Sequence, residues 1–201
     1  MFRFLCLFFS CILISTTLSA QSFPSAEGPK VSVWVGAELS SFNPDYGCSG
    51  NTPFSCISQQ LIGIAPFVDA NHLFLPRLGA EGEARFLHWR GPGSGVTESS
   101  YLAGPRFGLV SFKHSIFLSG KALIGSATIH TPPTDPGNGS HFALAPGGVA
   151  EFRMTRRLAA RADYEYQIWP FFKGRPTAST TGTGGLTPNG FSLGVSYMIL
   201  R

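Results

Sequence analysis

The chain has 201 residues, of which 43% are hydrophobic and only 13% charged, with 24 glycines and a formal net charge of +4. Its length suits a single domain once a short leader is set aside. The mild basic balance gathers into no Lys/Arg cluster interleaved with aromatics, so no nucleic-acid partner is expected. Downstream of the leader, no apolar run approaches the roughly 20 residues that a membrane-spanning helix requires.

Residues 1–20 read as a secretory signal peptide. Arg3 supplies the positive start and Phe4–Ile14 an apolar core too short for a spanning helix. Polar Ser15–Thr17 and then Leu18-Ser19-Ala20 lead to cleavage after Ala20, although Leu18 is larger than the small residue usual there. A lipoprotein reading is disfavoured because Cys11 lies in mid-core behind Phe8 and Phe9. Residues 21–29 read as a linker and residues 30–201 as the folded domain. Cleavage leaves Cys48 and Cys56, close together in a Gly/Pro/Asn-rich stretch of an exported chain, where one local disulfide is expected. Closing so short a loop contributes about 2–3 kcal/mol. No further ligands accompany the two cysteines, so no metal or other cofactor is expected.

Eight strands follow: Lys30–Ser40, Leu61–Ala70, Leu78–Trp89, Ser100–Val110, Ile116–Ile129, Phe142–Arg153, Leu158–Trp169 and Asn189–Leu200. The clearest is the seventh. There Leu158, Ala160, Ala162, Tyr164, Tyr166 and Ile168 alternate with Arg161, Asp163, Glu165 and Gln167, the period of two that a strand imposes on its two faces. Long polar connections follow the odd-numbered strands (Ser41–Gln60, Arg90–Ser99, His130–His141 and Pro170–Pro188). Short ones follow the second, fourth and sixth (Asn71–Arg77, Ser111–Ser115 and Met154–Arg157). Long loops on one rim and tight turns on the other are the pattern of an outer-membrane barrel. The fold expected is all-β: an eight-stranded antiparallel up-and-down transmembrane β-barrel.

Alternation does not say which face is inside, but energetics does. An Arg or Lys on the lipid face at mid-membrane costs about 2–4 kcal/mol, an acid somewhat less. The strand interiors carry Glu38, Asp69, Glu81, Glu83, Arg85, Arg106, Lys121, Glu151, Arg153, Arg161, Asp163 and Glu165, all on one parity within their strands. The opposite parity carries Val33, Val35 and Leu39, Ile62, Ile64 and Val68, Tyr101 and Phe107, Tyr164 and Tyr166, then Phe191, Leu193, Val195 and Tyr197. Turning the apolar set to lipid sends the twelve charges into the lumen. An eight-stranded barrel is just wide enough for side chains to fill. Acids and bases in near balance there would pair, because unpaired buried charge is costly. A barrel plugged by its own ion pairs is expected, and an ion path is the alternative use of the same charges. Trp34, Trp89 and Trp169 either join interfacial girdles or, by parity, fill the lumen. A soluble lipocalin-like binding barrel has the same alternation with faces reversed, but prefers bulky apolar pocket linings and often ends in a helix. Here the polar parity is rich in glycine and serine, and the chain stops at a strand.

The segments Leu78–Trp89 (LGAEGEARFLHW), Ala145–Arg153 (APGGVAEFR), Ala162–Gln167 (ADYEYQ) and Leu186–Tyr197 (LTPNGFSLGVSY) resemble the small bacterial outer-membrane barrels, the OmpA/OmpX-like or "porin family" proteins. The resemblance spans essentially the whole exported chain. It implies residence in the outer membrane after periplasmic export, among membrane lipid and lipopolysaccharide, as a monomer inserted by the barrel-assembly machinery. That machinery usually recognises a terminal aromatic residue; this chain ends Tyr197-Met-Ile-Leu-Arg201, which leaves Tyr197 to serve.

Some barrels of this size modify lipid A, which needs a serine activated by histidine and a carboxylate. None of His72, His88, His114, His130 or His141 has serine two residues later, and His114-Ser115 falls in a short turn. No catalytic residues are therefore assigned. The sequence points to a structural or envelope-interaction protein, with a narrow porin-like channel as the alternative and a lipid A enzyme behind it.

Overall fold

The computed structural model describes residues 31–45, 60–73, 75–89, 95–112, 115–130, 138–172 and 185–201. The leader, the linker and the Cys48–Cys56 pair lie outside the described residues. Eight strands form: β1 (Ser32–Asn43), β2 (Leu61–Asn71), β3 (Leu78–Trp89), β4 (Thr97–Phe112), β5 (Ile116–His130), β6 (Gly139–Arg153), β7 (Leu158–Tyr166) and β8 (Asn189–Leu200). Each pairs antiparallel with its sequence neighbours, and β8 returns to pair with β1, closing a barrel without free edges. Every strand has at least 9 residues, the length needed to cross a bilayer at a tilt.

The strand expectations hold in number and order, with one instructive shortening. Alternation runs to Trp169, but β7 ends at Tyr166, opposite Asn189. The next partner of β8 is Pro188, whose nitrogen carries no hydrogen. Gln167 still donates its N–H to the Pro188 carbonyl (2.7 Å), but the return bond is impossible and the ladder stops. Ile168 and Trp169 then make isolated bridges to Leu144 and Leu186. Irregularities in register occur at Val33/Trp34 against β8 and at Gly108/Val110 against β5, both toward the short-turn end.

The outer surface is an apolar band of Leu39, Ile64, Val68, Phe86, Tyr101, Phe107, Ile124, Phe142, Tyr164, Phe191, Leu193, Val195 and Tyr197, all exposed. The interior is layered along the barrel axis. At the long-loop end, Leu102, Leu123, Ala127, Ile129, Ala143 and Ala145 pack with Trp169 and Leu186. Phe42, Leu61 and Leu87 form a second cluster there, against Trp89. The charged residues occupy the middle. At the short-turn end lies a cavity of about 500 Å³.

Candidate functional site

The middle layer is assembled from one to three charged residues on each of β1 to β7, all reaching the lumen on the inward parity. Lys121, on β5, is its centre: 4% exposed, with Nζ 3.1 Å from Glu81, 3.0 Å from Glu83, 2.5 Å from Asp163 and 3.0 Å from Glu165. Arg161, on β7, binds Glu38 through Nε (2.7 Å), and Glu81 (2.6 Å) and Asp163 (3.0 Å) through Nη2. Arg85, on β3, bridges Glu83 (2.5 Å) and Glu165 (2.8 Å). Arg106, on β4, holds Asp69 (3.0 Å) and Glu151 (2.8 Å) and donates to Ser119 Oγ (3.2 Å). Faces of the cations are covered too: Arg161 stacks on Phe67 at 4.0 Å and Arg85 on Phe42 at 4.1 Å.

Two glycines make these reaches possible. Glu151, Arg161, Gly194 and Glu38 are successive register partners across β6, β7, β8 and β1. A Cβ on Gly194 would meet Ala37 O at 2.1 Å and Glu38 Cγ at 2.7 Å, so the missing side chain is the gap through which Arg161 meets Glu38. Gly147 plays the same part between Lys121 and Glu165, its partners on either side. A Cβ there would sit 3.0 Å from Lys121 Cε.

A hydrogen-bonded chain leaves this layer toward the long loops. Gln167 donates to Glu165 (2.7 Å), and the Trp169 indole donates to Gln167 (2.9 Å). Asn71 donates to Asp69 (2.7 Å) from the opposite end, and Ser40 pairs with Ser192 (2.8 Å). The sequence reading did not assign Gln167, Asn71 or Ser119 to the network. Their signal was present, since each lies on the inward parity or at its continuation.

Eleven of the twelve sequence-assigned charges come together here. Arg153 does not. It is exposed at the short-turn end of β6, with its guanidinium 4.1 Å from the Phe117 ring and 5.6 Å from that of Trp34. Parity had placed it in the lumen, but its position as the last residue of β6 carries it to the mouth. Without it, seven carboxyl groups (Glu38, Asp69, Glu81, Glu83, Glu151, Asp163, Glu165) share four cations among the described ion pairs, a less even balance than expected. Of the tryptophans, Trp34 and Trp169 are buried and Trp89 packs partly against Phe42 and its neighbours.

Oxygens of Glu81, Glu83 and Asp163 lie within 4.8 Å of one another, near enough to hold a metal ion. The Lys121 ammonium sits against all three, so it already takes the part a bound cation would play. Nor does any of the described hydrogen bonds join a serine to a histidine. The His141 ring is stacked on Trp169 and set edge-on to Phe172, while its neighbour Ser140 bonds Thr128 (2.8 Å). His114 lies outside the described residues.

No protein-family model matches the sequence, and no curated protein does. Solved structures do match in fold. Ail, the attachment invasion locus protein of Yersinia pestis, superposes with a TM-score of 0.50 at 17% identity, over 86% of this chain and 100% of Ail. Neisserial surface protein A gives 0.53 at 14% identity, over 87% of this chain and 99% of its own. The outer membrane protein OprG of Pseudomonas aeruginosa gives 0.54 at 10% identity, over 88% and 100%. The chain thus has the fold of the small eight-stranded outer-membrane barrels.

Proposed function

We propose that this chain is a monomeric outer-membrane barrel, closed to solutes by its own interior side chains, with a structural or envelope-interaction role and no catalytic activity. One juxtaposition carries the reading: the outward parity is an exposed apolar band, while the inward parity is buried, charged and cross-linked from strand to strand. A band of that extent is unsuited to water and suited to lipid. Ion pairs that bridge non-adjacent strands, such as Lys121–Glu81 and Arg161–Glu81, brace the tube and leave little room for a continuous water file. The four long connections then face outward, where lipopolysaccharide and external partners lie. That two proteins of the same fold are named for attachment and for the cell surface supports this use of the loops.

The test is fractionation of the expressed chain, followed by gel migration with and without heating. An outer-membrane fraction containing a heat-modifiable band is expected; a soluble, heat-insensitive product overturns the reading. Planar-bilayer recordings test closure, with no conductance above control expected. The excess of carboxyls over cations is the one observation that favours a channel. If conductance is seen, that channel is selective for cations, and Arg85→Gln or Arg161→Gln alters it.

A further inference from the structure

The charged middle layer borders, without filling, the cavity at the short-turn end. This space of about 500 Å³ is bordered by Arg77, Arg106 and Arg153, with Glu151 as its one acid among the described residues. Glu151 is already engaged, by Arg106 at 2.8 Å and Arg161 at 3.8 Å. None of the described ion pairs includes Arg77 or Arg153, although Arg153 lies near enough to Glu151 to feel its charge. Arg153 is also held in place, its face against Phe117 and near Trp34. Stacking occupies the face of a guanidinium and leaves the N–H edges free to donate.

We propose that this mouth binds a small phosphate-bearing molecule with an apolar part, its phosphate held between Arg77 and Arg153 above Arg106. A phosphate monoester offers three strong acceptor oxygens and up to two negative charges, matching two or three planar donors better than a single carboxylate does; a headgroup phosphodiester offers two oxygens and one charge, enough for the two rim guanidiniums. The space exceeds what an inorganic anion fills and falls within the size of small-molecule sites. Phe117, Leu78 and Leu109 supply apolar wall. The site is blind: beneath Arg106 lie Asp69, within 3.0 Å, and Glu81, within 3.8 Å, and these acids repel an anion that would go deeper. If the barrel is oriented as proposed above, the mouth opens to the periplasm. The phosphate source is then either a headgroup of the inner leaflet or a soluble phosphate ester.

The experiment is titration of phenyl phosphate, inorganic phosphate and benzoate into the detergent-solubilised full chain, followed by calorimetry. It requires only a folded barrel, checked by heat-modifiable migration, so its failure is separable from failure of the membrane assignment. Saturable binding of phenyl phosphate is expected, tighter than that of inorganic phosphate or benzoate. Arg77→Gln and Arg153→Gln should each weaken it about tenfold, the usual loss of one charge-assisted hydrogen bond. Arg157→Gln removes the same charge from a neighbouring turn outside the cavity and should change affinity less than twofold. No saturable binding, benzoate binding as tightly as phenyl phosphate, or an Arg157→Gln loss equal to the others overturns the proposal. Competition by phosphatidylglycerol bicelles assigns the headgroup as source, whether or not phosphatidylcholine, which carries the same phosphodiester, also competes; no competition by either assigns the soluble ester.

Discussion

Replacing Arg161 with methionine separates a braced interior from a merely crowded one. Its Nε is 2.7 Å from Glu38, and Glu38 has no other partner among the described ion pairs. Glu81 and Asp163 also lose a contact, but each keeps Lys121, at 3.1 and 2.5 Å. The substitution therefore strands one buried carboxylate, a change that costs about 3–5 kcal/mol when a buried pair is broken from one side. Lys121→Met looks worse, because Lys121 touches four carboxylates. Yet Glu83 and Glu165 keep Arg85, and Glu81 and Asp163 keep Arg161, so none is left alone. Its expected cost is about 1–3 kcal/mol, that of hydrogen bonds lost to a charged group. The order is thus opposite to that given by counting partners. Adding Glu38→Gln to Arg161→Met removes the stranded charge and should recover about 0.5–3 kcal/mol through coupling. Equilibrium urea unfolding in lipid vesicles, followed by tryptophan fluorescence and gel shift, measures the parent, Lys121→Met, Arg161→Met, Glu38→Gln and the double variant. A Lys121→Met cost equal to or above that of Arg161→Met, or a strictly additive Glu38–Arg161 cycle, refutes the reasoning.

Other outcomes follow from the faces and the glycine gaps. Leu193, on β8 and 66% exposed, faces the apolar surroundings, so Leu193→Arg should cost about 2–4 kcal/mol in vesicle folding. A cost near zero would mean that this band does not meet hydrocarbon. Gly194→Ala drives a Cβ to 2.1 Å from Ala37 O and should destabilise by about 1–3 kcal/mol, whereas Gly82→Ala, whose nearest contact is 3.7 Å away, should be near neutral. Urea midpoints of the two variants check the contrast. Trp169→Ala unseals the long-loop end by removing the buried ring packed among Leu102, Leu123 and Leu186. It should raise the rate of small-cation leakage from loaded vesicles relative to the parent chain.

The strands and their faces were legible because alternation is local: Leu158 to Tyr166 announces both at once, and charge in hydrocarbon is costly enough to orient them. The end of β7 was legible only to a reader who gave Pro188 weight over pattern, since Gln167–Trp169 continue the alternation after the ladder has lost its donor. Pairings were not legible at all. Arg161 meets Glu38 through the empty place of Gly194, and Lys121 reaches Glu165 over Gly147; both depend on the closure and stagger of the barrel, which no single strand contains.

Parity also gives no depth, and depth decides what each inward residue can do. Arg153 and Arg161 share a parity sense toward the lumen, yet one is exposed at the rim and the other is 2% exposed in the middle. A solute entering at the short turns meets the rim guanidiniums first, then a layer in which carboxyls outnumber cations, and finally an apolar plug that includes Leu123, Ile129 and Trp169. The first layer attracts anions that the second repels. The second attracts cations that the third does not solvate. In the proposed closed barrel no single gate is then needed: exclusion would arise from three successive chemistries, each unfavourable to what the one before it admits. For the same reason, binding at the mouth and closure of the barrel are separable, and a substitution at Arg77 should affect the first while leaving the second unchanged.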